Sequence, residues 1–386
     1  MDLRDQAPIR VVYVVSLFHP FASGAERQAL AQGARLAARG HQVHVVTRSV
    51  PGYPIDDEEH RGVFIHRWVK TAERGPLFAL SFVAGVVRAL ARLRGQYDVV
   101  HTHQALWEAV ATGAGRRLGL PAPTLVQPAS AGYYGEADEL SRTKGQAILK
   151  RAILANTGFA AISAEIERQW VALGVPQARI IRMASGVDAE RFQPGPSSVE
   201  HLLLPRPRVM FTGRLHPQKG IPLLLEAWKT VAARSTANLI LVGPGHDRQA
   251  LEALAQDLGL AHRVQFVGSV ENPDDYLRAA DVFVLPSVAE GMSNSLLEAM
   301  ASGLPAVVSG IGGNTDLVTD QIHGRLVMTA TADEWSRTLL DLLNNPGEAR
   351  NEGRAARARV ESEFALDVVV DRYVALYRRM IAGTWP

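Results

Sequence analysis

Val209-Met210-Phe211-Thr212-Gly213-Arg214-Leu215-His216-Pro217-Gln218-Lys219-Gly220 opens the second half of the chain. An apolar run leads to a glycine, then to two cations five residues apart, then to the amphipathic run Ile221–Arg234. The run is apolar at successive positions rather than alternating. Strands of that kind are buried on both faces, which implies a parallel sheet covered by helices. Ligands of such sheets bind beyond the carboxyl ends of the strands. Arg214 and Lys219 therefore emerge at the ligand edge. Arginine offers a fork and lysine a point charge, so the pair suits a diphosphate, with two solvated loop cations as the plain alternative.

The same alternation extends in both directions. Downstream, Leu239–Val242, Val264–Phe266, Val282–Leu285 and Ala306–Ser309 read as strands, separated by helical patterns at Gln249–Leu258, Ser293–Ser302 and Asp333–Leu343. Upstream, strands are expected at Ile9–Val15, Gln42–Thr47, Tyr97–His101, Thr124–Gln127 and Phe159–Ile162. Helices are expected there at Ala25–Arg39, Phe78–Arg94, Leu106–Leu118 and Ser141–Leu154. Between the halves, Arg191-Phe192-Gln193-Pro194-Gly195-Pro196-Ser197-Ser198 reads as a linker. We expect two α/β doubly wound domains, residues 1–192 and 199–365, with a final helix near 366–381 that could pack on either.

The chain has 386 residues, enough for two or three domains at roughly 150 residues each. Its net charge of +2 supplies no global field to recruit nucleic acid. With no cysteine, disulfides, thiolate catalysis and Cys-bound metal centres are excluded. The N-terminus lacks the apolar core of a signal peptide, and Leu77–Val87 is too short to span a bilayer, so a cytoplasmic protein is expected.

A second candidate site follows the strand Val282–Leu285. Pro286-Ser287 turns, Glu290-Gly291 follows, and a helix begins near Ser293. The N–H groups of Asn294, Ser295 and Leu296 at that helix start form an anion site, and Glu298 suits a ribose diol. Glu290 is expected in the loop, at the cleft between the domains. In the first half, Gly24 sits at a matching helix entry. The chain carries neither Gly-x-Gly-x-x-Gly nor a P-loop. His101 and His103 end a strand; their side chains are expected on opposite faces, unable to share a metal, with His103 available to a polar substrate. Asp274-Asp275 reads as helix-start acids, and Gly312-Gly313 as either a phosphate-contacting turn or a flexible loop.

These motifs together resemble glycosyltransferase family four. They are Ser23-Gly24-Ala25-Glu26-Arg27-Gln28, Asp98-Val99-Val100-His101-Thr102-His103, Ala161-Ile162-Ser163, Gly186-Val187-Asp188 with Phe192 and Pro194, Gly213-Arg214-Leu215 with Lys219-Gly220, Asp281 to Ser287, Glu290-Gly291 to Glu298-Ala299-Met300-Ala301, and Gly303-Leu304-Pro305-Ala306-Val307. The resemblance implies the GT-B fold, two Rossmann-like domains facing across a cleft, and a retaining, nucleotide-sugar-dependent transferase. It implies that Arg214 and Lys219 hold the donor diphosphate, within the motif that opens at Gly213. Glu298 would contact the ribose. Glu290 and the amides from Met292 through Ser293, Asn294 and Ser295 to Leu296 would contact sugar and diphosphate. Gly24 would approach the phosphate and His103 the sugar. No metal and no cofactor beyond the donor are expected. The sequence departs from the common family pattern at Ser185, at Met292-Ser293-Asn294 and at Gln127-Pro128-Ala129.

Two other readings share this fold: a nucleotide-sugar epimerase or hydrolase, and a non-catalytic nucleotide-sugar binder. The glutamate pair argues against the first, and retention of both cations, both glutamates and His103 against the second. The acceptor is a hydroxyl on a glycan, a lipid-linked carrier or a small molecule. A peripheral contact at the inner face of the membrane is a further candidate. It rests on Phe78, Phe82, Val83, Val86 and Leu90 beside Arg88, Arg92 and Arg94, and on Tyr133, Tyr134 and Leu140 beside Arg142, Lys144, Lys150 and Arg151.

Overall fold

Each half of the sequence builds its own sheet. The computed structural model describes residues 7–20, 24–53, 55–73, 75–132 and 135–385. Ser23, Tyr133 and Tyr134 lie outside them. Two units form, Met1–Gly186 with Leu366–Pro386, and Val187–Ala365.

In the first unit the strands are β1 (Arg10–Val14), β2 (Gln42–Arg48), β3 (Asp57–His60), β4 (Val63–Val69), β5 (Val99–Thr102), β6 (Thr124–Val126), β7 (Gly158–Ala161) and β8 (Ile180–Arg182). Their spatial order is β3-β4-β2-β1-β5-β6-β7-β8. Every pairing is parallel except β3–β4, which is antiparallel. Val11–Val14 on β1 and all of β5, β6 and β7 are buried, as their uniform apolar character requires. The strand order reverses between β1 and β5, where ligands of such sheets bind.

The strands β3, β4 and β8 have no counterpart in the sequence reading. The burial of β4 alternates, β3 reads Asp57-Glu58-Glu59-His60, and β8 is a three-residue edge strand. Marginal strands of this kind escape a search for uniformly apolar runs. The expected helix Ser141–Leu154 is two helices, Glu136–Arg142 and Gln146–Ile153, interrupted at Gly145.

The final helix, Leu366–Ile381, belongs to the first unit. Its buried face carries Val369, Val370, Tyr373 and Tyr377. The Tyr373 hydroxyl donates to Gln127 Oε1 (2.6 Å), and the Tyr377 hydroxyl meets His101 Nδ1 (2.7 Å). On the exposed side Arg39 pairs with Asp367 and Asp371.

The second unit holds β9 (Arg208–Thr212), β10 (Asn238–Val242), β11 (Val264–Gly268), β12 (Val282–Leu285), β13 (Ala306–Ser309) and β14 (Arg325–Val327). They form a parallel sheet in the order β11-β10-β9-β12-β13-β14. This doubly wound order reverses between β9 and β12.

The expected linker is not a free connection. The units divide at Gly186 and Val187 rather than at 192–199. The stretch after the division is held within the second unit. Arg191 Nε donates to Asp274 (2.9 Å), the Ser198 N–H donates to Asp275 (3.0 Å), and the Ser197 hydroxyl donates to the Asp275 carbonyl (2.8 Å). Asp274 and Asp275 thus anchor this strap besides opening a helix. Phe192 is buried, and its N–H bonds the Asp188 carbonyl (2.9 Å).

Candidate active site

β9 and β12 are neighbours in register, Val209 opposite Val282 and Met210 opposite Phe283, so the loops leaving their carboxyl ends start side by side. Backbone and side-chain bonds join the two loops. The Val288 N–H donates to the Gln218 carbonyl (2.9 Å), and Gln218 Nε2 donates to the Ala289 carbonyl (2.8 Å). Gly220 stands at φ 65°, and a Cβ there would lie 2.1 Å from the Pro286 carbonyl oxygen. Only glycine meets both the left-handed backbone and this close approach.

The result is an ion pair. Lys219 Nζ lies 2.7 Å from Glu290 Oε1, which also accepts from the Ser287 hydroxyl (2.6 Å). Lys219 is half-buried and Glu290 buried, so the pair is drier than a surface one and its charges are less screened. Arg214 is exposed at the head of the same loop, directly after Gly213. The helix Asn294–Ala301 begins four residues past Glu290, with Ser293 as its cap. One expectation changes here. The Leu296 N–H donates to the Ser293 hydroxyl (3.3 Å), so this amide serves the cap and not an anion. The first turn also carries Asn294 and Ser295, with Glu298 half-buried one turn on and Met292 buried before it.

Gly313 is a contributor whose role the sequence left undecided. Its N–H donates to the Glu290 carbonyl (3.4 Å), and a Cβ there would lie 2.0 Å from the Gly291 oxygen. The missing side chain lets the segment after β13 press against Gly291 and Met292.

In the first unit the reversal point is flanked by the loop after β1, which leads to Gly24 at the start of the helix Gly24–Ala38, and by the end of β5. The Ser16 hydroxyl donates to buried Glu108, and the Ser16 carbonyl accepts from Thr47 Oγ1 (3.2 Å). Gln28, a motif residue, exchanges two hydrogen bonds with the backbone of Gly186 (2.8 and 3.1 Å).

His101 and His103 share a face, contrary to expectation, because residues two apart on a strand point the same way. Their rings lie 4.2 Å apart, with Tyr13 edge-on to His103 at 4.5 Å. His103 is only 1% exposed rather than open. Burial pushes its imidazole down to about 3, so the ring is neutral at physiological pH. Neither of its ring nitrogens has a hydrogen-bond partner among the described residues. Three helix starts at this sheet edge carry buried glutamates, Glu26, Glu108 and Glu136.

Glu136 shapes the loop that departs from the family pattern. Its carboxylate accepts from the Ala129 N–H (2.8 Å) and the Ser130 N–H (2.9 Å). Burial, foremost, pushes this carboxyl up to about 7 from its ordinary 4.5, against the pull of those amides. The folded-state value is raised, so its contribution to stability is full below about pH 4.5 and is lost as pH rises through about 7. Glu136→Gln cannot ionise. Its melting temperature relative to wild type is expected to climb between about pH 5 and about pH 8. A difference that stays flat across this range in thermal melts would refute the raised value.

Comparison with known proteins identifies the family. A model described as Glycosyltransferase Family 4 matches residues 22–191, and one described as Glycosyl transferases group 1 matches residues 206–345. The D-inositol 3-phosphate glycosyltransferase of Gordonia bronchialis is 31% identical, over 89% of this chain and 81% of its own length. That of Nocardia farcinica is 32% identical, over 92% and 86%. The chain belongs to glycosyltransferase family 4. Solved structures share the fold of this glycosyltransferase. Sucrose-phosphate synthase from Thermosynechococcus elongatus matches with a TM-score of 0.82 at 24% identity, covering 97% of this chain and all of its own. Anabaena HepE in complex with UDP-glucose matches at 0.78 and 18%, covering 95% and 99%. The architecture is that of GT-B glycosyltransferases. No helix among the described residues of this glycosyltransferase is long and apolar enough to cross a membrane.

Proposed function

We propose that this transferase moves a sugar from a nucleotide-sugar donor to a hydroxyl acceptor with retention of anomeric configuration and without a metal. The observation that carries this reading is the Lys219–Glu290 pair at the strand-order reversal, beside exposed Arg214 and the start of the helix Asn294–Ala301. Two cations and a helix start favour the charge that gathers on a departing diphosphate. Glu298 takes the ribose diol. Glu290, Met292, Ser293, Asn294 and Ser295 face the sugar and diphosphate. In the first unit, Gly24 is the candidate for a phosphate, and His103, whose ring nitrogens have no partner among the described residues, the candidate for a sugar hydroxyl. The structures of HepE with UDP and with UDP-glucose support a uridine donor as the first to test.

In the reaction the acceptor oxygen bonds to the anomeric carbon on the face the diphosphate leaves. The carbon–oxygen bond to the diphosphate breaks with its electron pair, and a phosphate oxygen takes the acceptor proton. A panel of nucleotide-sugars with D-inositol 3-phosphate as first acceptor, after the relatives named above, tests the assignment. The product anomer read by NMR should match the donor's, and turnover should survive excess EDTA. An inverted product would overturn retention. Loss with EDTA and rescue by Mg²⁺ or Mn²⁺ would overturn metal independence.

A membrane-borne acceptor remains part of the proposal, on a narrower basis. Phe82, Val86 and Leu90 pack in the core with Val12, Val14 and Val46, and Leu140 is buried, so these apolar residues are interior. Leu77 and Leu80, 67% and 68% exposed on the same helix as exposed Arg88 and Arg92, with Arg94 just beyond it, supply the surface instead. Co-sedimentation with anionic vesicles should weaken with salt and with Arg88, Arg92 and Arg94 replaced by Gln. No binding at low ionic strength would point to a soluble acceptor.

A further inference from the structure

The edge hairpin of the first unit carries a cluster that the group transfer does not use. Glu58 and His60 sit two apart on β3 and so share a face. His19, in the loop after β1, stacks on His60 with ring centroids 3.9 Å apart and presents Nε2 to Glu58 Oε1 at 3.9 Å. One nitrogen of each imidazole and one carboxylate oxygen all lie within 4.8 Å of one another. All three side chains are half-buried, so solvent reaches the cluster.

Arg67 fixes two of the three. It is 1% exposed and donates through one nitrogen to the His19 carbonyl (2.5 Å) and to Glu58 Oε2 (2.7 Å), with its guanidinium over Tyr53. The carboxylate is thereby turned so that Oε1 faces His19. Outer-shell bonds of this kind orient the ligands of metal sites. The Arg67 charge also offsets that of Glu58. Hard cations, which want several carboxylate oxygens, gain little here, while two imidazoles define the donor set.

We propose that His19, Glu58 and His60 form a binding site for a borderline divalent transition metal, Zn²⁺ foremost, that ties the loop after β1 to the β3–β4 hairpin and leaves a coordination position to solvent. Ligand atoms of a tetrahedral zinc site lie about 3.4 Å apart. Closing on the ion therefore needs the three side chains to draw in and the His60 ring to turn out of its stack, adjustments open to half-buried side chains. The metal takes no part in the group transfer proposed above, and the site stands independently of that reading.

Co²⁺ titration of the untagged chain tests it through the visible absorption of the bound ion. Wild type should give a ligand-field band that one equivalent of Zn²⁺ abolishes and Mg²⁺ does not. His19→Ala and His60→Ala should each weaken Co²⁺ binding by about tenfold or more. His44→Ala, in the separate pair His44–His66, should leave it unchanged. No band, or a band at wild-type affinity in both His19→Ala and His60→Ala, overturns the site. Loss in His44→Ala with retention in those two variants overturns it as well. Should a variant fail to fold, wild type decides alone. Zn²⁺ should slow diethyl pyrocarbonate modification of His19 and His60 but not of His246, whose side chain is 70% exposed. Equal labelling with and without Zn²⁺ refutes the proposal.

Discussion

Replacing Arg214 or Lys219 by alanine is expected to lower kcat/KM by about 10² or more in each case, because both cations act on charge that grows in the transition state. The two variants should differ in stability. Arg214 is exposed, and its loss should leave the melting temperature close to that of wild type. Lys219 neutralises buried Glu290, and removing one partner of a buried pair leaves an uncompensated charge. The Ser287 hydroxyl remains on Glu290, which limits the damage. Steady-state kinetics with thermal melts separate these effects. Activity near wild type in both variants would refute the diphosphate assignment.

Gly313→Ala should cost about as much in kcat/KM, without removing any polar group. Its backbone lies at φ −69°, which alanine adopts freely, so strain is not the cause. The added methyl would meet the Gly291 oxygen at 2.0 Å and Met292 Cα at 2.8 Å. Backbone on that side must move by an ångström or more, carrying Glu290 and the helix start with it. A displacement of that size in a reacting constellation costs about 10²-fold. The discriminating measurement pairs kcat/KM with the affinity for a nucleoside diphosphate. Both should fall together. Unchanged values would show that the loop absorbs the methyl and that Gly313 does not shape the site.

The departures from the sequence reading follow a pattern. Linker composition marked 191–198 correctly as irregular, yet Arg191, Ser197 and Ser198 bind Asp274 and Asp275 some eighty residues away. The N–H of Leu296 looked available because helix starts leave amides unpaired, but Ser293 claims it. His101 and His103 were legible as a pair at a strand end. Their common face follows from the strand period. The burial of His101 under Tyr373 and Tyr377 depends on where the last helix docks.

What the sequence determined by itself is local. Uniformly apolar runs such as Val209–Phe211 and Val282–Leu285 require burial on both faces, hence parallel sheets, and the residues after each run fall at the ligand edge whatever the rest of the chain does. That sufficed to name Arg214, Lys219, Glu290 and Glu298 as candidates. Tertiary structure decided everything that needs a distant partner. It assigned Leu366–Ile381 to the first unit and set the division at Gly186. It placed charged β3 and alternating β4 at a sheet margin, and it buried Arg67 between His19 and Glu58. The physical reason is that periodicity is written in neighbouring residues, whereas the partner of a charge or a polar group is chosen only when the chain closes. Arg67 becomes a buried clamp because two acceptors, 48 and 9 residues away, converge on it.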